Sequence, residues 1–94
     1  MKITLRAIQN AVVGDCLEVR MGGSIHTYKV IEIITEYLPN PAIELKHQLN
    51  GEKEIIIFDI KRKCLINDKG FESVKFIQNM ATYKSSKISS RFAK

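Results

Sequence analysis

Apolar and polar residues alternate with a period of two through two stretches of the chain, and a turn signal splits each. The first reads DCLEVRM, then Gly22-Gly23, then SIHTYKVIEII. Alternation sends successive side chains to opposite faces of a strand, and a glycine pair supplies the positive φ that a two-residue hairpin turn needs. Pairing Met21 with Ser24 sets Leu17 opposite Tyr28 and Val19 opposite His26. Leu17, Val19, Met21, Tyr28 and Val30 then gather on one face, while Cys16 and Lys29 meet on the other.

The second stretch reads AIELKHQL, then Asn50-Gly51, then EKEIIIFDI. Asn-Gly between two alternating runs is a strong hairpin signal, and a two-residue turn there pairs Leu49 with Glu52. Ile43 is then expected opposite Phe58, Leu45 opposite Ile56 and His47 opposite Glu54, with Glu44, Lys46, Ile55 and Ile57 on the far side. Ile55 and Ile57 make this arm apolar on both faces. Such a strand is either central in a packed sheet or left open for a partner.

Elsewhere the pattern is weaker. YLPNPA, with Pro39 and Pro41, is a surface connection between the hairpins. MKITL reads as a strand running into a loop, in preference to the helical turn that Leu5, Ile8 and Val12 would also fit. Cys64, Leu65 and Ile66 form a short strand before an Asp-Lys-Gly turn. Phe71, Val74, Ile77, Met80 and Ala81 recur at helical spacing, which predicts an amphipathic helix over 71–83 lying on the sheet. The fold class expected is mainly β with a C-terminal helix: a small curled antiparallel sheet or partly open barrel of five to six strands, in the SH3-like or OB-like size range. Residues 1–83 make the domain. Residues 84–94, rich in Ser and Lys, make a basic flexible tail.

A chain of 94 residues holds one core and no second domain. No apolar run approaches the roughly 18 residues that cross a bilayer, and MKITLRAIQN lacks a signal-peptide core, so a cytoplasmic protein with no membrane partner is expected. Free thiols at Cys16 and Cys64 go with that compartment.

Charge changes the picture more. The net charge is +5, yet basic and acidic residues cancel from Met1 to Glu72, and no acidic residue follows. Lys75, Lys84, Lys87, Arg91 and Lys94 supply the excess. A neutral body with a cationic tail points to nucleic acid or a nucleoprotein complex. Lys84, Lys87 and Arg91 recur at spacings of three and four, and Lys61, Arg62 and Lys63 cluster where the second hairpin ends; these six are the candidate nucleic-acid contacts. Tyr83 and Phe92 in the tail, and Tyr28 and Tyr37 on the sheet, are candidates for stacking on bases.

Chemistry is harder to find. Cys16, His26, His47 and Cys64 include no close ligand pair of the kind zinc sites use, so no metal and no cofactor is expected. Gly22-Gly23 lacks the downstream residues of a phosphate-cradling loop. His47 facing Glu54, with Lys46 and Lys53 nearby, would suit a small metal-independent ribonuclease. Cys16 beside Lys29 is a weaker candidate nucleophile. The reading that takes in most of these features is a non-enzymatic module that docks onto nucleic acid. A different class would be a phage-type inhibitor that occludes a host protein through Ile55, Ile57 and a free strand edge, an edge through which the chain would also form a homodimer.

Overall fold

The computed structural model describes residues 3–78 and 80–84. Six strands form one antiparallel sheet in the order β5-β4-β3-β2-β1-β6, with β1 at Cys16–Met21, β2 at Ser24–Ile34, β3 at Ala42–His47, β4 at Lys53–Asp59, β5 at Cys64–Ile66 and β6 at Met80–Lys84. Among the described residues no ladder joins β5 to β6, and the curled sheet is a half-barrel. It is accompanied, among the described residues, by two helices of five residues each, α1 (Leu5–Gln9) and α2 (Val74–Gln78). The mainly β architecture expected from the sequence is the one observed.

The eleven-residue β2 is the spine of the sheet. Its first half pairs with β1 and its second with β3, in the registers Leu17↔Tyr28 and Val30↔Leu45. Between Val30 and Glu32 the register shifts, a bulge that bends the strand and exchanges its faces. Val30 therefore points inward with Leu17, Val19, Tyr28, Ile43, Leu45 and Ile56, all at most 2% exposed. Ile34 instead turns outward and joins Ala42, Ile57 and Ile66 in a second apolar cluster, flanked by Tyr37, Ile55 and Cys64.

The first hairpin forms in the register that its alternation predicts, Met21↔Ser24 through Cys16↔Lys29. The second does not. Ile43 pairs with Ile56, Leu45 with Glu54 and Lys46 with Lys53, a slip of two residues from the expected ladder. A two-residue Asn-Gly turn needs positive φ at both positions, and here only Gly51 adopts it, at +77°. The chain instead makes a wider loop, closed by the His47 N–H donating to the Glu52 carbonyl at 2.7 Å. Because the slip is even, every side chain keeps its face.

Two local expectations are corrected. Residues 5–9 are helical, not extended: Thr4 caps them, its hydroxyl accepting from the Ala7 N–H at 3.1 Å, and Ile8 is buried. The helix expected over 71–83 is reduced to Val74–Gln78, with Phe76 as its buried anchor, while Phe71 and Val74 are exposed. Residues 80–84 are β6, paired to the free edge of β1 from Arg20↔Met80 to Cys16↔Lys84. Ala81 and Tyr83 face the core while Thr82 and Lys84 lie outward, a period of two that an available sheet edge selects over the helical spacing.

Tyr83 also ties β6 to the turn before β1. Its hydroxyl donates to the Asp15 carboxylate at 2.6 Å, and the same oxygen accepts from the Val12 N–H at 2.9 Å. Burial, then the adjacent carboxylate, push the Tyr83 hydroxyl far above its ordinary range.

Candidate functional site

Among the described residues two charged or polar side chains are buried, Asp15 and His47. His47 is 5% exposed, and its Nδ1 accepts from the N–H groups of Leu49 and Asn50 at 3.1 and 3.2 Å. That fixes the neutral tautomer: the His47 proton sits on Nε2 and is donated to His26 Nδ1 at 2.9 Å, so neutral His26 holds its own proton on Nε2. Tyr28 packs edge-on against His47 and against Phe76. Its hydroxyl accepts from Lys75 Nζ at 3.2 Å, and Lys75 bonds Glu54 at 2.7 Å.

Burial raises the Tyr28 hydroxyl above its usual value. It would lower Lys75, but the Glu54 carboxylate and the Tyr28 hydroxyl outweigh it and hold the ammonium above its usual value. The cluster clamps α2 to the sheet. The acid-base pair expected of His47 and Glu54 does not form, because Glu54 stands opposite Leu45 in the ladder and is bonded to Lys75.

The outer face is organised differently. Lys84 pairs with Cys16, Cys16 with Lys29, Lys29 with Lys46, and Lys46 with Lys53. Residues directly opposite in a sheet share a face, so these five lie in one rung across β6, β1, β2, β3 and β4. The four lysines are exposed. Adjacent strands are about 4.8 Å apart, which places Lys29, Lys46 and Lys53 within about 10 Å and the whole rung along about 19 Å of sheet. Among the described residues Lys84 is bonded to Glu18 at 3.0 Å, while Lys29, Lys46 and Lys53 make no ion pair.

Like charges directly opposite each other in a ladder are destabilising. Three of the ten acids are engaged elsewhere: Asp15 with Tyr83, Glu54 with Lys75, Asp59 with Arg62. Glu32 and Glu44 face each other one row away. The neutral body is thus neutral only as a sum, and its surface is sorted into rows.

The six basic residues picked out by the sequence are not brought together. Lys61, Arg62 and Lys63 occupy the β4-β5 turn, beyond the end of β4 opposite to Lys53, and β4 is roughly 20 Å long. Arg62 is anchored there by Asp59 at 2.8 Å and by the Gly70 carbonyl at 2.9 Å. Its side chain holds the Asp59 carboxyl below the usual range. Lys84 ends the rung; Lys87 and Arg91 lie outside the described residues, as does Phe92. Tyr28 and Tyr83 are buried on the inner face, so neither presents a ring to a base. Ile57 is 2% exposed within the second apolar cluster and Ile55 lies half-buried beside it.

Lys29, Lys46 and Lys53 were legible only in part. The first hairpin's register places Lys29 beside Cys16, but Lys46 meets Lys29 only through the β2-β3 ladder, and Lys53 only after the two-residue slip. Both cysteines are free and partly buried. Among the described residues no three His, Cys, Asp or Glu side chains are grouped to hold a metal, and no helix is long and apolar enough to cross a membrane. No protein family, no curated protein and no solved structure matches this chain.

Proposed function

We propose that this is a non-enzymatic binding module that docks onto nucleic acid, or onto a nucleic-acid-handling complex, through phosphate contacts on the outer face of its sheet. The observation that carries this reading is the run Lys29-Lys46-Lys53: three exposed ammonium groups on neighbouring strands, none of them in an ion pair among the described residues. Self-repelling cations on a rigid sheet gain when an external polyanion supplies their counter-charges and releases its own bound cations. Lys84 extends the run and leads into the segment that carries Lys87 and Arg91.

The test is the salt dependence of binding to a nucleic acid of mixed sequence. Each phosphate neutralised on a duplex contributes about −0.9 to the slope of log affinity against log salt, so three to four lysines give a slope of about −3. Changing the base sequence should leave affinity nearly unchanged. Affinity that stays flat between 50 mM and 200 mM salt refutes the proposal.

A further inference from the structure

We infer that the ligand of this face is a nucleic-acid duplex, held by its backbone and lying along the lysine rung, across the strands. This rests on the function proposed above and narrows its ligand class. Two observations carry it, one electrostatic and one concerned with rings.

The lysine rung is bordered on both sides by acids. On one side the next outward row holds Glu18 between Thr82 and Thr27; on the other, Glu32 stands opposite Glu44. Side chains two residues apart on a strand share a face, so these rows run parallel to the rung. A polyanion laid along a strand would cross an acidic row within two residues. Laid across the strands, it meets Lys53, Lys46, Lys29 and Lys84 in turn and keeps the acids to its flanks.

The second observation is the placement of aromatic rings. Proteins that hold single strands stack bases on aromatic side chains, at about 1–3 kcal/mol per base, and that gain offsets the ordering of a flexible chain. On the outer face the neighbours of the rung are Glu18, Thr27, Glu32, Glu44, Ile55 and Thr82, with no ring among them. Tyr28, Phe76 and Tyr83 are buried in the opposite face, and Tyr37 is held in the second apolar cluster. Phe71 is exposed but lies in the turn after β5, past the end of the rung at β4, so a single strand on the rung itself would be ordered by phosphate contacts alone. A duplex is already stiff over about 150 base pairs and presents its phosphates preorganised, one per about 1.7 Å of axis.

The experiment compares the parent chain with Lys29→Gln/Lys46→Gln/Lys53→Gln and with Glu32→Gln/Glu44→Gln. Each is titrated against a fluorescent 20-base-pair duplex and against its separated strands, at low and moderate salt. Lys29, Lys46, Lys53 and Glu32 are exposed and Glu44 is half-buried, and circular dichroism establishes that the variants fold. The duplex should bind at least tenfold tighter than either strand, the triple variant should lose most of that affinity, and the double variant should gain several-fold.

If neither duplex nor strand binds even at low salt, the proposed function fails outright. Equal or tighter binding of the separated strands overturns the duplex inference and leaves the function standing. A triple variant that binds the duplex as well as the parent overturns the rung as the contact surface.

Discussion

Tyr83→Phe removes one oxygen and tests how β6 is held to the domain. The ring is 8% exposed and its hydroxyl donates to Asp15, itself 1% exposed, at 2.6 Å. Short hydrogen bonds to a charged acceptor contribute about 1.5–3 kcal/mol, and the phenyl ring retains the packing. The variant should therefore lose about 2 kcal/mol in urea denaturation at pH 7, with an unchanged m-value. A second signature comes from linkage. The folded-state value of this hydroxyl lies above its unfolded value of 10.0, so the unfolded chain loses the proton first as pH rises. The stability this group contributes is complete below pH 10, and above it falls by about 1.4 kcal/mol per pH unit until the folded pKa is reached. Lysines and Tyr28 titrate in both proteins and cancel in the difference. The gap between parent and variant should shrink by about 1 kcal/mol between pH 10 and 11. Equal stabilities at pH 7, or parallel pH profiles above 10, would refute the reasoning.

Three further outcomes follow from the same geometry. His47→Ala strips the acceptor from the Leu49 and Asn50 N–H groups and leaves a void beside Tyr28, and should cost about 2–4 kcal/mol by denaturation; a loss under 1 kcal/mol would mean that the loop closes without it. Gly22→Ala, at φ +57°, should cost about 1 kcal/mol, whereas Gly23→Ala, with no positive φ and no atom within 4 Å of its new Cβ, should stay within about 0.5 kcal/mol. Ile57→Asp buries an unpaired carboxylate and should abolish the cooperative unfolding transition, so a folded, soluble Ile57→Asp protein would contradict the burial of that side chain.

How far the sequence reaches depends on which interaction sets each element. The first hairpin is set locally, by Gly22 and the alternation around it, and its register could be read residue by residue. The face of every residue in the second hairpin was legible too, since an even slip preserves it. The segment 80–84 was not legible, because its fate is decided by the edge of β1, some sixty residues earlier in the chain. The bulge at Val30/Glu32 leaves no mark in the alternation, so the outward turn of Ile34 could not be read from it. The charge total concealed most of all. Summing Met1 to Glu72 gives neutrality, but Lys75 and Lys84, from the supposed cationic excess, are bonded to acids of the body, and among the described residues Lys29, Lys46 and Lys53 make no ion pair.

These points meet at His47. An apolar core cannot distinguish two registers that differ by an even number of residues, since both bury the same side chains; Ile43, Leu45, Ile56 and Phe58 would share a face in either. What the two registers change is the outer face. The two-residue turn would set Lys46 opposite Ile55 and Lys53 opposite Gln48, and the contiguous rung would not exist. The observed register follows from the wider loop, and that loop is held by polar contacts: the His47 imidazole accepting two N–H groups, and the His47 N–H reaching the Glu52 carbonyl. A buried histidine on the inner face thereby fixes which lysines are neighbours on the outer one. Stability and the proposed binding surface are separable on this sheet by face, but not at its loop.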